Sequence, residues 1–202
     1  MTSSIRSRSR RACLAIATLA LVAGQVWAQG PAGASKVRFA TSAGDFVVEV
    51  YPDKAPKTVA NFLQYVRDKH YDGTVFHRVI DNFMVQGGGF DASYAQKPTR
   101  PPVVHEGREA LAKGGDKNVV GTLAMARTND PDSALSQFFI NVRDNDFLNP
   151  SAQSPGYTVF GRVVSGMDVV NKIKATPTGA GGPFPSDVPR TPVLIRSAEI
   201  VK

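Results

Sequence analysis

The chain has 202 residues, a formal net charge of +7 and one cysteine, Cys13. That length suffices for one domain with its own core, and a lone thiol supplies neither an intrachain disulfide nor a thiolate metal cluster. Arg6, Arg8, Arg10 and Arg11 carry four of the positive charges, so the rest of the chain is only +3 and offers no clustered basic face for nucleic acid.

Residues 1–28 read as a cleaved secretory signal peptide. The four arginines lead into an apolar run of 15 residues, Ala12 to Val26, which ends at Val26-Trp27-Ala28. A membrane span needs about 20 apolar residues, so no stable membrane anchor is expected. Ser9-Arg10-Arg11 is also compatible with twin-arginine export, and Cys13 stands at the start of the apolar run, the wrong place for a lipid-modified cysteine.

Residues 29–35 (QGPAGAS) form a flexible leader, and the folded domain spans 36–202. KVRFAT and DFVVEVY flank SAG as two alternating runs about a glycine turn, which predicts a hairpin. Pro56 suits the first turn of a helix, and Val59, Phe62, Leu63 and Val66 follow at helical spacing as a core stripe. Further strands are expected at 75–80, 82–86, 119–126, 137–142, 157–163 and 193–201, and a second helix at 166–174 with Val169, Val170 and Ile173 on one side. The stretches 90–118, 127–136, 143–156 and 175–192 read as long connections, a class of segment that often carries function. About eight strands and two helices predict a mainly β domain, an antiparallel barrel or sandwich with helices at its openings.

Several chemistries have no support. Gly87-Gly88-Gly89 is not followed by Gly-Lys-Ser/Thr, no GxGxxG opens a helix, and no Gly-x-Ser-x-Gly elbow occurs. His70, His77 and His105 are unevenly spaced, and His77 within a strand reads as a satisfied core histidine. No metal site and no cofactor are expected. What remains is the segment FHRVIDNFMVQGGGF (76–90), where a permanent cation, Arg78, stands inside an apolar run. Alone, such an arginine is a solvated strand residue, and Phe83, Met84, Phe139 and Leu148 alone would be core.

Taken together, FHRVIDNFMVQGGGF, GTLAMART (121–128) and SQFFINVRDNDFLN (136–149), followed by YTVFGRVVSGMDVV, resemble the cyclophilin family of peptidyl-prolyl cis-trans isomerases. NDFLN and the tyrosine before TVFG are similar to the bacterial branch, and the signal peptide is similar to its periplasmic members. The resemblance implies an eight-stranded, closed antiparallel barrel capped by two α-helices. It also implies proline-containing polypeptides, including unfolded exported proteins, as partners of a periplasmic monomer. Carried over by motif position, the catalytic residue is Arg78. The substrate-binding residues are Phe83, Met84, Gln86, Ala126, Arg127, Gln137, Phe139, Phe147, Leu148 and Tyr157.

Arg127 stands where many relatives have asparagine, Tyr157 where many have histidine, and Phe147 where many have tryptophan. Weak cyclosporin binding is therefore expected. The residue set fits a reaction that breaks no bond and needs no nucleophile, acid or metal. Rotation about the C–N bond removes resonance and frees a lone pair on the prolyl nitrogen, which an arginine can meet with a hydrogen bond. A proline-peptide binding or chaperone module, with turnover incidental, is the alternative reading.

Overall fold

The computed structural model describes Met1 and residues 35–202; the signal peptide expected over 1–28 and the leader as far as residue 34 lie outside the described residues. The expected hairpin comes first, as β1 (Ser35–Thr41) and β2 (Gly44–Val50). Alternation turns Val37, Phe39, Phe46, Val48 and Val50 inward, and the Phe39 and Phe46 rings stack across the pair at 5.0 Å.

Helix α1 (Pro56–Arg67) starts at its proline and buries Val59, Phe62, Leu63 and Val66. Ala55, at its N-cap, has no side-chain oxygen to offer. The carboxylate of Glu106 replaces it from 48 residues away, accepting from the Thr58 N–H and hydroxyl at 2.7 Å each and from the Lys57 N–H at 3.1 Å. A buried anion on the positive end of the helix satisfies donors that the helix itself leaves free. After α1 come β3 (Thr74–Ile80), β4 (Met84–Asp91) and α2 (Gly107–Ala112). The chain continues through β5 (Thr122–Met125), β6 (Phe138–Asn141), β7 (Val159–Ser165) and α3 (Met167–Lys174). It ends with β8 (Thr178–Gly181), β9 (Phe184–Pro189) and β10 (Ile195–Val201).

All eight expected strands belong to one sheet, in the order β10-β1-β2-β7-β5-β6-β4-β3, with every neighbouring pair antiparallel. The sheet is a half-barrel, not the closed barrel expected from sequence. Its edges, β3 and β10, meet at one Val75–Leu194 bridge, where the Phe76 N–H donates to the Val193 carbonyl at 3.0 Å and the Gly73 N–H, just before β3, donates to the Ile195 carbonyl at 2.8 Å. Pro192, just before this contact, has no N–H with which to extend a ladder. Among the described residues there are three α-helices where two were expected: α2 lies in a stretch that reads as loop, because six residues are too few to show a helical period. The β8–β9 hairpin likewise occupies a stretch read as connection.

The apolar interior divides in two. The larger cluster joins the inner faces of β1, β2, β5, β6 and β7 to α1 and α3 around Phe39, Phe62, Phe138 and Phe160. A smaller cluster of Met84, Ala124, Phe139, Leu148 and Val159 lies apart from it.

Candidate active site

The small cluster exists because strands have a period of two. On β4, Val85 joins the main core while Met84 joins the small cluster. On β5, Leu123 and Met125 point one way and Ala124 the other; on β6, Phe138 and Ile140 oppose Phe139. Phe138 and Phe139 therefore serve opposite faces. The outer faces of β4, β5, β6 and β7 together form an apolar floor.

Arg78 reaches this floor through a bulge. Phe76 pairs with Gly87 and Arg78 with Gln86, so His77 is an extra residue on β3. Strict alternation would send Arg78 to the side of Phe76, into the main core. The bulge turns it out: His77 and Val79 are buried, and Arg78 is exposed. Its guanidinium carbon lies 6.0 Å from the centroid of the Phe83 ring.

A recess of about 160 Å³ opens between them, lined by Arg78, Phe83, Met84, Gln86, Ala126, Arg127, Phe139, Leu148 and Tyr157. Nine of the eleven residues carried over by motif thus converge on one cavity. Phe139 is the buried base, with the Tyr157 ring standing at 79° to it, 5.6 Å away. Gln137 lies just outside and accepts a 2.9 Å hydrogen bond from the Gln86 amide. It faces an adjoining recess together with Gln86. Phe147 does not line the cavity. It is 72% exposed and stacks on Phe83 at 5.6 Å, forming an outer shoulder.

Gly89 has no room for a side chain, because a Cβ there would lie 2.5 Å from Cγ of Gln137. Gly88 has φ +85°, and a Cβ on it would meet the Tyr71 ring at 2.8 Å. Gly89 lets β4 pass close to Gln137 beside the cavity, while Gly87 and Gly88 let it press on Phe76, Tyr71 and Phe138 of the main core.

Arg127 turns toward the neighbouring loop that ends at Gly156. Its guanidinium lies 4.4 Å from the centroid of the Tyr157 ring and donates to the carbonyls of Gly156 (2.7 Å) and Thr128 (2.8 Å). It fixes the wall containing Tyr157 and has few donors left for a peptide. The backbone N–H of Ala126 is committed as well, to the Gln137 carbonyl at 3.0 Å.

The sequence gives no sign of the amide network behind the cavity. Asn145 donates to the Phe83 carbonyl (3.0 Å) and to Oδ1 of Asn141 (2.7 Å), and Asn141 donates on to Asn118 (3.2 Å) and Thr122 (3.0 Å). Asn118 in turn donates to the Leu148 carbonyl at 3.2 Å. Three buried asparagines thereby tie Phe83 and Leu148, on opposite rims, to β5 and β6. Asn118 and Asn145 fall in stretches that read as connections, only Asn141 stands within an expected strand, and their partners are distant in sequence.

His77 is buried, as expected, but it is not satisfied: its Nδ1 has no hydrogen-bond partner. Burial, with Arg78 next to it acting in the same direction, pushes the imidazole down to about 4, so it is neutral at pH 7. Among the described residues no cluster of three or more histidine, cysteine or acidic side chains is placed to hold a metal ion.

The arrangement is a cation, Arg78, at the mouth of a recess with an apolar base, beside a hydrogen-bonded pair of amide side chains. A second guanidinium, that of Arg127, also lines the recess but is already bound to its own wall. The sequence pattern of the family described as cyclophilin type peptidyl-prolyl cis-trans isomerase/CLD matches residues 36–200. A peptidyl-prolyl cis-trans isomerase of Streptomyces antibioticus is 54% identical over 170 residues, covering 83% of this chain and 99% of its own. Peptidyl-prolyl cis-trans isomerase B of Escherichia coli K12 is 53% identical over 167 residues, covering 81% and 98%. Among solved structures, a cyclophilin-type isomerase of Cryptosporidium parvum in the presence of the dipeptide Ala-Pro matches with a TM-score of 0.65 at 25% identity, over 83% of this chain and 99% of that one. This chain belongs to the cyclophilin-type peptidyl-prolyl cis-trans isomerases and is an enzyme of that activity.

Proposed function

We propose that the chain rotates X–Pro bonds by seating the proline ring on Phe139, between Phe83, Met84 and Leu148. Arg78 then donates a hydrogen bond to the prolyl nitrogen as the amide twists. The observation that carries this reading is the position of Arg78, an exposed cation on the rim of a recess whose base, Phe139 with Met84 and Leu148, is apolar. Rotation faces a barrier of ~18–20 kcal/mol. A charge-assisted hydrogen bond worth ~1.5–3 kcal/mol, made only with the half-rotated state, accelerates it roughly ten- to over a hundredfold. The remainder comes from the recess, since the twisted amide is less polar than the planar one and is favoured where water is excluded. Gln86 and Gln137 hold the peptide on either side of the proline.

The substrates in this reading are proline-containing segments of unfolded exported proteins. Support for export is the pattern of residues 1–28, together with a family match that begins only at residue 36. Cleavage after Ala28 releases a periplasmic monomer that assists folding. The structure solved with Ala-Pro supports a proline peptide as the ligand. Titration of an Ala-Pro tetrapeptide into residues 29–202, followed by NMR, tests the site. The signals of Met84, Gln86, Phe139 and Leu148 are expected to move most, and movement confined to other surfaces contradicts it. N-terminal sequencing of protein recovered from the periplasm, expected to begin at Gln29, tests export.

A further inference from the structure

A second and larger recess adjoins the first on the far side of Arg78. It measures about 340 Å³ and is lined by His77, Arg78, Gln86, Phe90, Phe184 and Asp187 among others. Arg78 and Gln86 border both cavities, so a peptide with its proline in one runs directly past the other. Its outer wall is the start of β9, Phe184 to Asp187, in the β8–β9 hairpin, which plays no part in the proline site.

We propose that this recess is a substrate subsite for a lysine or arginine side chain near the proline, and that Asp187 is its specificity-determining residue. The inference rests on reading the Arg78 recess as the proline site. The aromatic walls suit the stem and charge of such a side chain. Phe90 and Phe184 meet edge to face at 5.1 Å, and His77 packs on both, at 4.7 and 5.4 Å. Aromatic faces accept methylene stems and attract a cation.

The polar groups point to the same ligand. Asp187 accepts only a neutral hydroxyl, that of Ser186 at 3.0 Å, and it makes no ion pair with any described residue. Its φ of +66° is a left-handed conformation that costs a non-glycine residue energy, yet an acid stands there. His77, 3% exposed, brings the only buried side-chain nitrogen without a partner among the described residues. Being neutral at pH 7, the imidazole presents its ring to a cation without repelling it. Arg78 is the one opposing charge on the lining, and the proposed proline site engages its guanidinium at the prolyl nitrogen.

The test uses short peptides with a fixed Ala-Pro core, carrying lysine, alanine or glutamate at each of the three positions on either side. kcat/KM is measured for the wild-type chain, Asp187→Asn and Asp187→Gly; both replacements tolerate positive φ, so the hairpin keeps its shape. At one position the wild type should turn over the lysine peptide at least threefold faster than the glutamate peptide. That ratio should fall to within about 1.5-fold in both variants, with the alanine peptide unchanged. A ratio that persists in both variants, the absence of any such ratio at all six positions, or a preference for glutamate drawn by Arg78 would each overturn the assignment. The alanine peptide with Arg78→Ala checks the underlying reading separately: unchanged turnover there would remove the proline site, and this subsite with it.

Discussion

Arg78 and Gln86 are register partners across β3 and β4, one step beyond the bulge at His77. Partners in an antiparallel pair project from the same face, so the pairing sets the cation beside the amide and aims both at the apolar recess. Phe76, two residues earlier, pairs with Gly87 and lies in the main core. A single inserted residue therefore separates the chain's structural face from its chemical one.

Phe139→Ala should raise KM severalfold and lower stability by about 3 kcal/mol, at the lower end for a buried phenylalanine because one face of the ring opens on the recess. Peptide affinity and a denaturation curve measured on the same preparation check both. Normal affinity in a weakened protein would show that the ring serves packing alone.

Glu106→Ala should lower stability by about 2 kcal/mol, since it strands the N–H groups at the start of α1 in a buried setting. The loss should appear as a lower denaturant midpoint, with kcat/KM of the folded protein unchanged. An unaltered midpoint would contradict the capping role.

Between pH 6 and 9 the rate should stay flat, because arginine does not titrate there and burial holds His70, His77 and His105 below their usual range. Stability should behave differently on acidification. Above about pH 6.5, His77 is neutral in both folded and unfolded chains and has no effect. Between there and about 4 the unfolded chain takes up a proton that the folded chain refuses, so stability falls as pH is lowered. His77→Asn should reduce that slope relative to wild type, and an identical slope in urea denaturation series would contradict it.

Phe147→Trp should tighten inhibition by cyclosporin several-fold to tenfold while leaving turnover of simple proline peptides unaltered. The phenylalanine keeps the apolar shoulder against Phe83 but lacks an N–H donor, a hydrogen bond worth ~0.5–1.5 kcal/mol. Inhibition curves for both forms decide it; equal, strong inhibition would show that the missing donor is irrelevant.

Much of this was legible in the sequence because it depends on local periodicity. The stripe Val59, Phe62, Leu63 and Val66, the two faces of Phe138 and Phe139, and all eight strands of the sheet follow from spacing alone. What escaped depends on partners far along the chain. The segment Thr178–Pro189 has prolines and glycines where a strand would alternate, and it forms a hairpin whose Phe184 packs on His77 and Phe90. The bulge at His77 has no sequence mark. Arg127 is a substrate-binding residue by motif position, but the carbonyls of Thr128 and of Gly156, 29 residues away, claim its guanidinium. Closure of the barrel was inferred from resemblance, and the backbone around Pro192 leaves the seam between β3 and β10 to a single bridge.

Whether Arg78 acts on the half-rotated amide is decided by turnover at saturating peptide, measured by NMR exchange for wild type and Arg78→Ala. A residue used only in the transition state changes kcat far more than affinity. The expected result is at least a tenfold loss of kcat, with the denaturation midpoint and the peptide affinity preserved within about threefold. Unchanged turnover in a well-folded Arg78→Ala protein would contradict the role assigned to Arg78.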